Sequence, residues 1–304
     1  MEGTVSKSTG SWYKVFVEGK EIDARLRGKF RKQDIKATNP VTVGDKVELE
    51  LDGEDYVITT IHERKNCIIR KSNKLSKQYQ LIAANIDLAF LVVTPGFPYT
   101  PMGFIDRYLI TAAAYHIPVI IVINKNDLEG EKIKKYRREL IRTYMRIGVR
   151  CLDLSFKRAR DIEAIRSYAY GKTCLISGNS GVGKSTLVNG LIPGLDQKIG
   201  DISTSYFKGQ HTTTFAQMFA IDDHSFIIDT PGLKDFGLIN IDKQDLGYYF
   251  TEIGIHSKNC KFNNCIHIEE PGCGVLKALE DGYIAESRYI NYLSMLDELD
   301  QLKT

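Results

Sequence analysis

The chain has 304 residues, 43% of them hydrophobic and 26% charged, with 41 Lys and Arg against 38 Asp and Glu. That composition fills real cores and excludes a disordered or collagen-like chain, and the length suits two or three domains. A net charge of only +3 means that any affinity for nucleic acid must come from local clusters of cations.

The N-terminus, MEGTVSKSTG, has no apolar run after its charges, so no signal peptide is expected. The longest apolar runs, around Leu88–Val93 and Ile117–Ile123, are strand-length, far below the ~18 residues of a membrane helix. Six cysteines, three of them clustered late, do not resemble a secreted disulfide framework. The expectation is a soluble, cytoplasmic, multidomain protein with no membrane partner, and a monomer, since no surplus apolar helix is left over.

Residues 1–72 read as a small all-β barrel, OB-like in its economy. Short alternating segments at Trp12–Val17, Lys46–Leu51 and Tyr56–Ile61 are separated by turn signals at Gly19, Pro40, Gly44-Asp45 and Asp52-Gly53. A run of cations, Arg25, Arg27, Lys29, Arg31, Lys32 and Lys36, surrounds Phe30 and meets one acid, Asp34. It reads either as an RNA-binding loop or as a solvated surface loop.

Residues 73–238 change to α/β. Strands at Leu88–Val93, Val119–Ile123, Cys151–Leu154, Thr173–Ser177 and Phe226–Asp229 alternate with helices at Phe104–His116, Glu131–Ile147, Ala159–Tyr170 and Lys184–Leu191. That alternation predicts a mostly parallel sheet flanked by helices. Residues 239–304 read as helical, with a Cys/His cluster and a final helix near Ala285–Leu302.

Gly178-Asn179-Ser180-Gly181-Val182-Gly183-Lys184-Ser185 fits G-x-x-x-x-G-K-[ST] between a predicted strand and a predicted helix. Its glycines let successive backbone N–H groups turn inward around phosphate oxygens, and the helix N-terminus adds positive potential. Lys184 can reach the β- and γ-phosphates, Ser185 can ligate Mg²⁺, and Thr186 closes the expected contact set.

Asn124-Lys125-Asn126-Asp127 follows the apolar strand Val119–Ile123. An Asp127 carboxylate accepts from guanine N1–H and the 2-amino group, which adenine does not offer. Asn124 either donates to the base or pins the phosphate loop, and Lys125 lays its stem over the ring. With the phosphate loop, this pattern predicts GTP and GDP. Asp229-Thr230-Pro231-Gly232 ends another strand, with Asp229 holding Mg²⁺ through water and the Gly232 N–H meeting the γ-phosphate. Gly209-Gln210-His211-Thr212-Thr213-Thr214 lies between, where a switch belongs, and Thr213 is expected to complete the Mg²⁺ shell. Leu233 stands where Ras-like GTPases carry a water-orienting Gln, so another residue or a partner must orient the water; His211, beside Lys184 and Thr213, reads either as that residue or as a polar loop residue. Turnover by the isolated protein is therefore expected to be slow.

The order of these motifs is permuted: Asn124 precedes Gly178 by 54 residues, and no second NKxD follows Gly232. A closed sheet domain with neighbouring termini tolerates such permutation. Ser155, after the strand Cys151–Leu154, is then the candidate brace for the guanine. The DTPG switch now leads into the C-terminal region, which predicts that γ-phosphate loss shifts that region. Within it, Cys260, Cys265, His267 and Cys273 offer four soft ligands in fourteen residues, the donor set of a closed structural Zn²⁺ site.

This combination resembles the RsgA (YjeQ/YloQ) family of bacterial small-ribosomal-subunit biogenesis GTPases over nearly the whole chain. Further matching stretches are Val43-Gly44-Asp45, Ala84-Asn85-Ile86-Asp87 and Ile105-Asp106-Arg107-Tyr108. The resemblance implies an OB-fold, a circularly permuted GTPase domain and a zinc domain. It further implies binding to the 30S ribosomal subunit and its 16S rRNA, late subunit assembly and 30S-stimulated GTP hydrolysis. Gln210 departs from the Arg frequent before the family's switch His. The competing readings are an rRNA-binding module with a structural or slowly hydrolysed guanine nucleotide, and a P-loop kinase or ATPase, against which Asp127 and DTPG both stand.

Overall fold

The computed structural model describes residues 1–28, 39–71, 79–192, 194–195, 216–229, 238 and 241–301. Five strands, β1 (Glu2–Ser8), β2 (Trp12–Val17), β3 (Lys20–Leu26), β4 (Lys46–Asp52) and β5 (Asp55–Ile61), pair in the order β1-β2-β3-β5-β4. A β1–β4 ladder closes them into a barrel. Alternation drives the closure: Val5, Tyr13, Val15, Ala24, Val47, Leu49 and Ile58 fill the interior while their neighbours face out.

The cationic run begins differently from the expected loop. Arg25 lies on β3 and stacks its guanidinium 4.5 Å from the Trp12 ring centroid while pairing with Asp55 at 2.6 Å. Arg27 reaches Glu50 at 3.5 Å. Acids distant in sequence thus meet the first two cations, and Lys29, Phe30, Arg31, Lys32, Asp34 and Lys36 lie outside the described residues.

A hairpin of β6 (Cys67–Lys71) and β7 (Tyr79–Ala84) leads into the α/β part. There the barrel loop and the entry strand touch: the Gly44 backbone, at φ +89°, runs so close that a Cβ there would sit 2.1 Å from the Ala84 carbonyl oxygen. The Asn85 side chain donates to the Gly44 carbonyl at 2.9 Å, and Asp45 receives Arg64 at 2.6 Å. Two stretches quoted separately from the sequence, Val43–Asp45 and Ala84–Asp87, are therefore the two sides of one joint.

The α/β sheet runs β10 (Arg150–Asp153), β9 (Val119–Ile123), β8 (Leu88–Val93), β11 (Thr173–Ser177), β13 (Phe226–Asp229), β12 (Gln217–Ala220), all parallel except β12. β8 is buried at every position, the signature of a strand covered on both faces. Ala89, Leu91 and Val93 pack under α1 (Met102–Ala114) and α2 (Glu131–Arg146). Leu88, Phe90 and Val92 pack under α3 (Ala159–Ala169) and α4 (Lys184–Leu191). β12 also pairs with β1 at Lys7 and Gln217, so barrel and α/β strands form one 11-stranded sheet.

Among the described residues four helices follow: α5 (Leu246–Tyr249), α6 (Thr251–Ser257), α7 (Gly274–Glu280) and α8 (Glu286–Gln301). α8 docks on α1 through buried ions. Arg288, 2% exposed, binds Glu252 through Nε at 2.6 Å and Nη2 at 2.9 Å, and Asp106 through Nη1 at 2.7 Å. Tyr144 on α2 donates to Asp106 at 2.7 Å, and Asn291 donates to its other oxygen at 2.6 Å. Arg107, beside Asp106, pairs with Glu298. No described helix is long and apolar enough to cross a membrane.

Candidate functional site

The parallel strands β8, β9, β10, β11 and β13 deliver their C-terminal ends to one edge, where α/β sheets gather ligand-binding loops. From β11 the chain enters the glycine-rich loop. Gly178, at φ +143°, passes so near β8 that a Cβ would lie 2.2 Å from the Val92 carbonyl oxygen. Gly183, at φ +107°, opens α4, and there a Cβ would meet the Asn124 amide at 2.4 Å. Only glycine permits both backbone paths. Asn179, Ser180, Gly181 and Val182 form the turn between them, and Lys184 Nζ donates back to the Gly178 and Asn179 carbonyls, each at 2.8 Å. Ser185 and Thr186 are exposed on the first turn of α4.

Asn124 resolves the alternative left by its sequence. Its side chain is buried, donating through Nδ2 to the Val182 carbonyl at 2.8 Å and accepting the Phe156 N–H through Oδ1 at 3.0 Å. It therefore ties the phosphate loop to the loops after β9 and β10. Lys125, at φ +64°, crosses the same loop, with Nζ bonded to the Gly181 carbonyl at 2.9 Å and the Phe97 carbonyl at 2.7 Å.

Asp127 stands at the rim. Ser155 Oγ donates to one carboxylate oxygen at 2.7 Å and Lys157 Nζ to the other at 2.7 Å. The Lys157 ammonium, with help from Ser155, lowers the Asp127 carboxyl to about 2. Asp127 is thus an anion at every physiological pH. Lys157 escaped the sequence reading, although its place two residues after Ser155, on the same loop, was a usable signal. Asp229 sits half-buried at the end of β13. His211, Thr213, Gly232 and the rest of the Gly209–Thr214 and Thr230–Gly232 stretches lie outside the described residues.

A second cluster lies beyond α6. Cys260, Cys265, His267 and Cys273 bring their ligand atoms within 4.8 Å of one another. His267 Nδ1 is 3.5 Å from both Cys260 and Cys273 sulfurs, which are 3.9 Å apart. A Zn²⁺ tetrahedron with bonds of about 2.3 Å to sulfur and 2.0–2.1 Å to nitrogen has edges of about 3.8 and 3.5 Å, so the group fits this ion. The surroundings suit it too. Burial lowers the His267 pKa and keeps the ring a neutral ligand, while Gly274 and Leu276 N–H groups point at the Cys260 and Cys273 sulfurs at 3.3 and 3.4 Å. Tyr289 and Tyr292 hold the intervening loop by donating to the His267 and Ile266 carbonyls at 2.7 and 2.8 Å.

Comparison with known proteins agrees with this geometry. The profile of the RsgA GTPase domain matches residues 61–239, and that of the RsgA N-terminal domain matches residues 2–57. The chain belongs to the RsgA family of GTPases. The small ribosomal subunit biogenesis GTPase RsgA of Bacteroides fragilis is 47% identical over 305 residues, covering 100% of this chain and 98% of that one. Its Flavobacterium johnsoniae namesake is 47% identical over 302 residues, covering 98% and 93%. Among solved structures, YjeQ from Thermotoga maritima superposes with a TM-score of 0.79 at 36% identity, covering 98% of each chain. YloQ, described as a circularly permuted GTPase, gives 0.78 at 28% identity, covering 100% of this chain and 96% of that one. As an RsgA-family member this chain is a guanine-nucleotide enzyme, and the strand order β9-β8-β11-β13 brings Asn124, Gly178 and Asp229 to one edge of the sheet.

Proposed function

We propose that this protein hydrolyses GTP to GDP and phosphate on the 30S ribosomal subunit, assists that subunit's late maturation, and turns over fastest when bound to it. The observation that carries the reading is the Asn124 bridge. One buried side chain joins the guanine-reading loop to the phosphate loop, so base identity and phosphate contact are built as one unit. The names of the relatives supply the ribosomal context.

In this reading Gly178 to Thr186 cradle the phosphates, Lys184 neutralises them, and Asp127, Ser155 and Lys125 read the base. Ser185, Thr213 and, through water, Asp229 hold Mg²⁺; the Gly232 N–H meets the γ-phosphate, and His211 orients the attacking water. Cys260, Cys265, His267 and Cys273 hold one structural Zn²⁺, which supplies folding energy and leaves no open coordination position. The functional units are residues 1–72, 73–238 and 239–304, the first boundary falling between the paired strands β6 and β7. The protein acts as a cytoplasmic monomer on 16S rRNA.

The experiment is GTP turnover by the protein alone and with purified 30S, 50S and 70S particles at one salt concentration. Stimulation confined to 30S is expected. Equal rates with every particle, alongside normal GTP binding, remove the ribosome as activator.

A further inference from the structure

Helix α2 carries a charge pattern that the guanine site does not use. Between Glu131 and Arg146 seven residues are Lys or Arg and two are Glu, an excess of five cations in a chain whose net charge is +3. Its apolar side is spent in the core through Leu140 and Tyr144. Two cations are committed: Lys134 pairs with Glu129 at 2.6 Å, and Arg137 meets Asp153 at 3.7 Å.

The other five, Lys132, Lys135, Arg138, Arg142 and Arg146, are all exposed. Spacings of three and four residues put them on one face, and a rise of 1.5 Å per residue spreads them over about 21 Å. Among the described residues, Lys132, Lys135, Arg138 and Arg142 have no ion-pair or hydrogen-bond partner. Arg146 donates to the Gly282 carbonyl at 2.9 Å, which ties the end of the stripe to the C-terminal helices. Neighbouring like charges three and four apart destabilise a helix by a few tenths of a kcal/mol each, and only Glu131 and Glu139 interrupt them.

We propose that this face of α2 binds the phosphate backbone of RNA; the inference rests on the reading that the protein works on the 30S subunit. Charge complementarity names the occupant. A straight row of unpaired ammonium and guanidinium groups matches a linear polyanion, and guanidinium binds phosphate through two parallel N–H bonds. A membrane surface is disfavoured because the apolar half of α2 is already buried and has nothing to insert. α2 also packs beside β10, at the opposite end of the sheet from the barrel. It is therefore a second, separate contact.

The test uses full-length protein and purified 30S particles in a salt series, with K135Q/R138Q/R142Q and, separately, E139K. Each lost phosphate contact lowers the slope of log K against log[salt] by about 0.7–0.9. The triple variant should lose about 2–3 in slope and bind about 10- to 100-fold more weakly near physiological salt, with GTP turnover of the free protein unchanged. E139K should steepen the slope by roughly 1, a gain that no folding defect produces. Unchanged affinity and slope in the triple variant, while the natural protein binds 30S, overturn the inference. Weaker binding at an unchanged slope assigns the face to a protein surface and overturns it equally. If the natural protein does not bind 30S, the functional reading fails instead; the same variants titrated with a mixed-sequence RNA hairpin then decide α2 alone.

Discussion

Arg288→Met removes the one guanidinium between two buried carboxylates, and its cost can be worked from the geometry. Arg288, Asp106 and Glu252 are 2%, 0% and 6% exposed, and the arginine makes three bonds of 2.6 to 2.9 Å to the two acids. Stripping one partner from a buried pair costs about 3–5 kcal/mol, because the remaining charge stays desolvated. Two orphaned acids place this variant at the upper end near pH 8. The penalty should depend on pH with a defined sign. Burial already pushes the Asp106 carboxyl up, and without Arg288 it rises further above its unfolded value. Groups with raised folded-state pKa values hold their stability at low pH and lose it as pH rises, so the deficit of the variant should shrink between pH 8 and pH 5. Urea unfolding followed by circular dichroism reads the helices together, α1, α6 and α8 among them. Fluorescence of Trp12, the only tryptophan in the chain, reads the barrel. The circular dichroism midpoint should fall while the fluorescence midpoint holds. A loss under about 1 kcal/mol at pH 8, or one independent of pH, would refute this account of the joint.

Asn124→Ala leaves the Val182 carbonyl and the Phe156 N–H without partners, at about 1–3 kcal/mol each, so affinity for a fluorescent GDP analogue should drop tenfold or more. Lys157→Met should move the Asp127 carboxyl from about 2 toward its ordinary range, as read by carbon NMR of the carboxyl. The sign is opposite to that of Asp106: the depressed Asp127 contributes stability above the unfolded carboxylate pKa and loses it as pH falls toward 2, and the variant should lack that contribution. Cys273→Ser should take bound zinc from one per chain to none by metal analysis and lower helix content through loss of the metal, since the serine hydroxyl can still cap α7 by accepting the Leu276 N–H.

The elements readable from sequence are those with unbroken apolar runs. β8, β9 and β11 are covered on both faces, and their residues say so without reference to the rest of the chain. β3, with the sequence KEIDARL, was missed because a barrel strand buries alternate residues and this one spends its outer face on charges. For the same reason Arg25 read as part of a loop when its partner, Asp55, sits on β5. At the site, residue types gave the phosphate loop and Asp127, whose chemistry leaves little choice. They could not decide between base and loop for Asn124, since an amide serves either; only burial beside Val182 settles it. The Arg288 network left no local pattern, because its partners lie 36 and 182 residues away. Asp106 and Arg107 stood out in the sequence as a matching stretch, and in the structure they are the residues of α1 that pair with α8.

The continuity of the sheet from β10 to β1 also fixes a distance between its two ends. Strands repeat at about 4.8 Å, so the five steps from β10 to β12 set roughly 24 Å before the barrel begins, and the Lys7–Gln217 pairing and the Phe16–Phe226 ring contact at 5.8 Å hold the next step. Two surfaces carried at the ends of such a span cannot settle on one short stretch of polyanion. They engage together only when their target presents two sites at a matching separation, and a loosely organised target offers that spacing only in passing. On the proposed reading, a sheet continuous from β10 into the barrel would make tight binding depend on how far the target has been built.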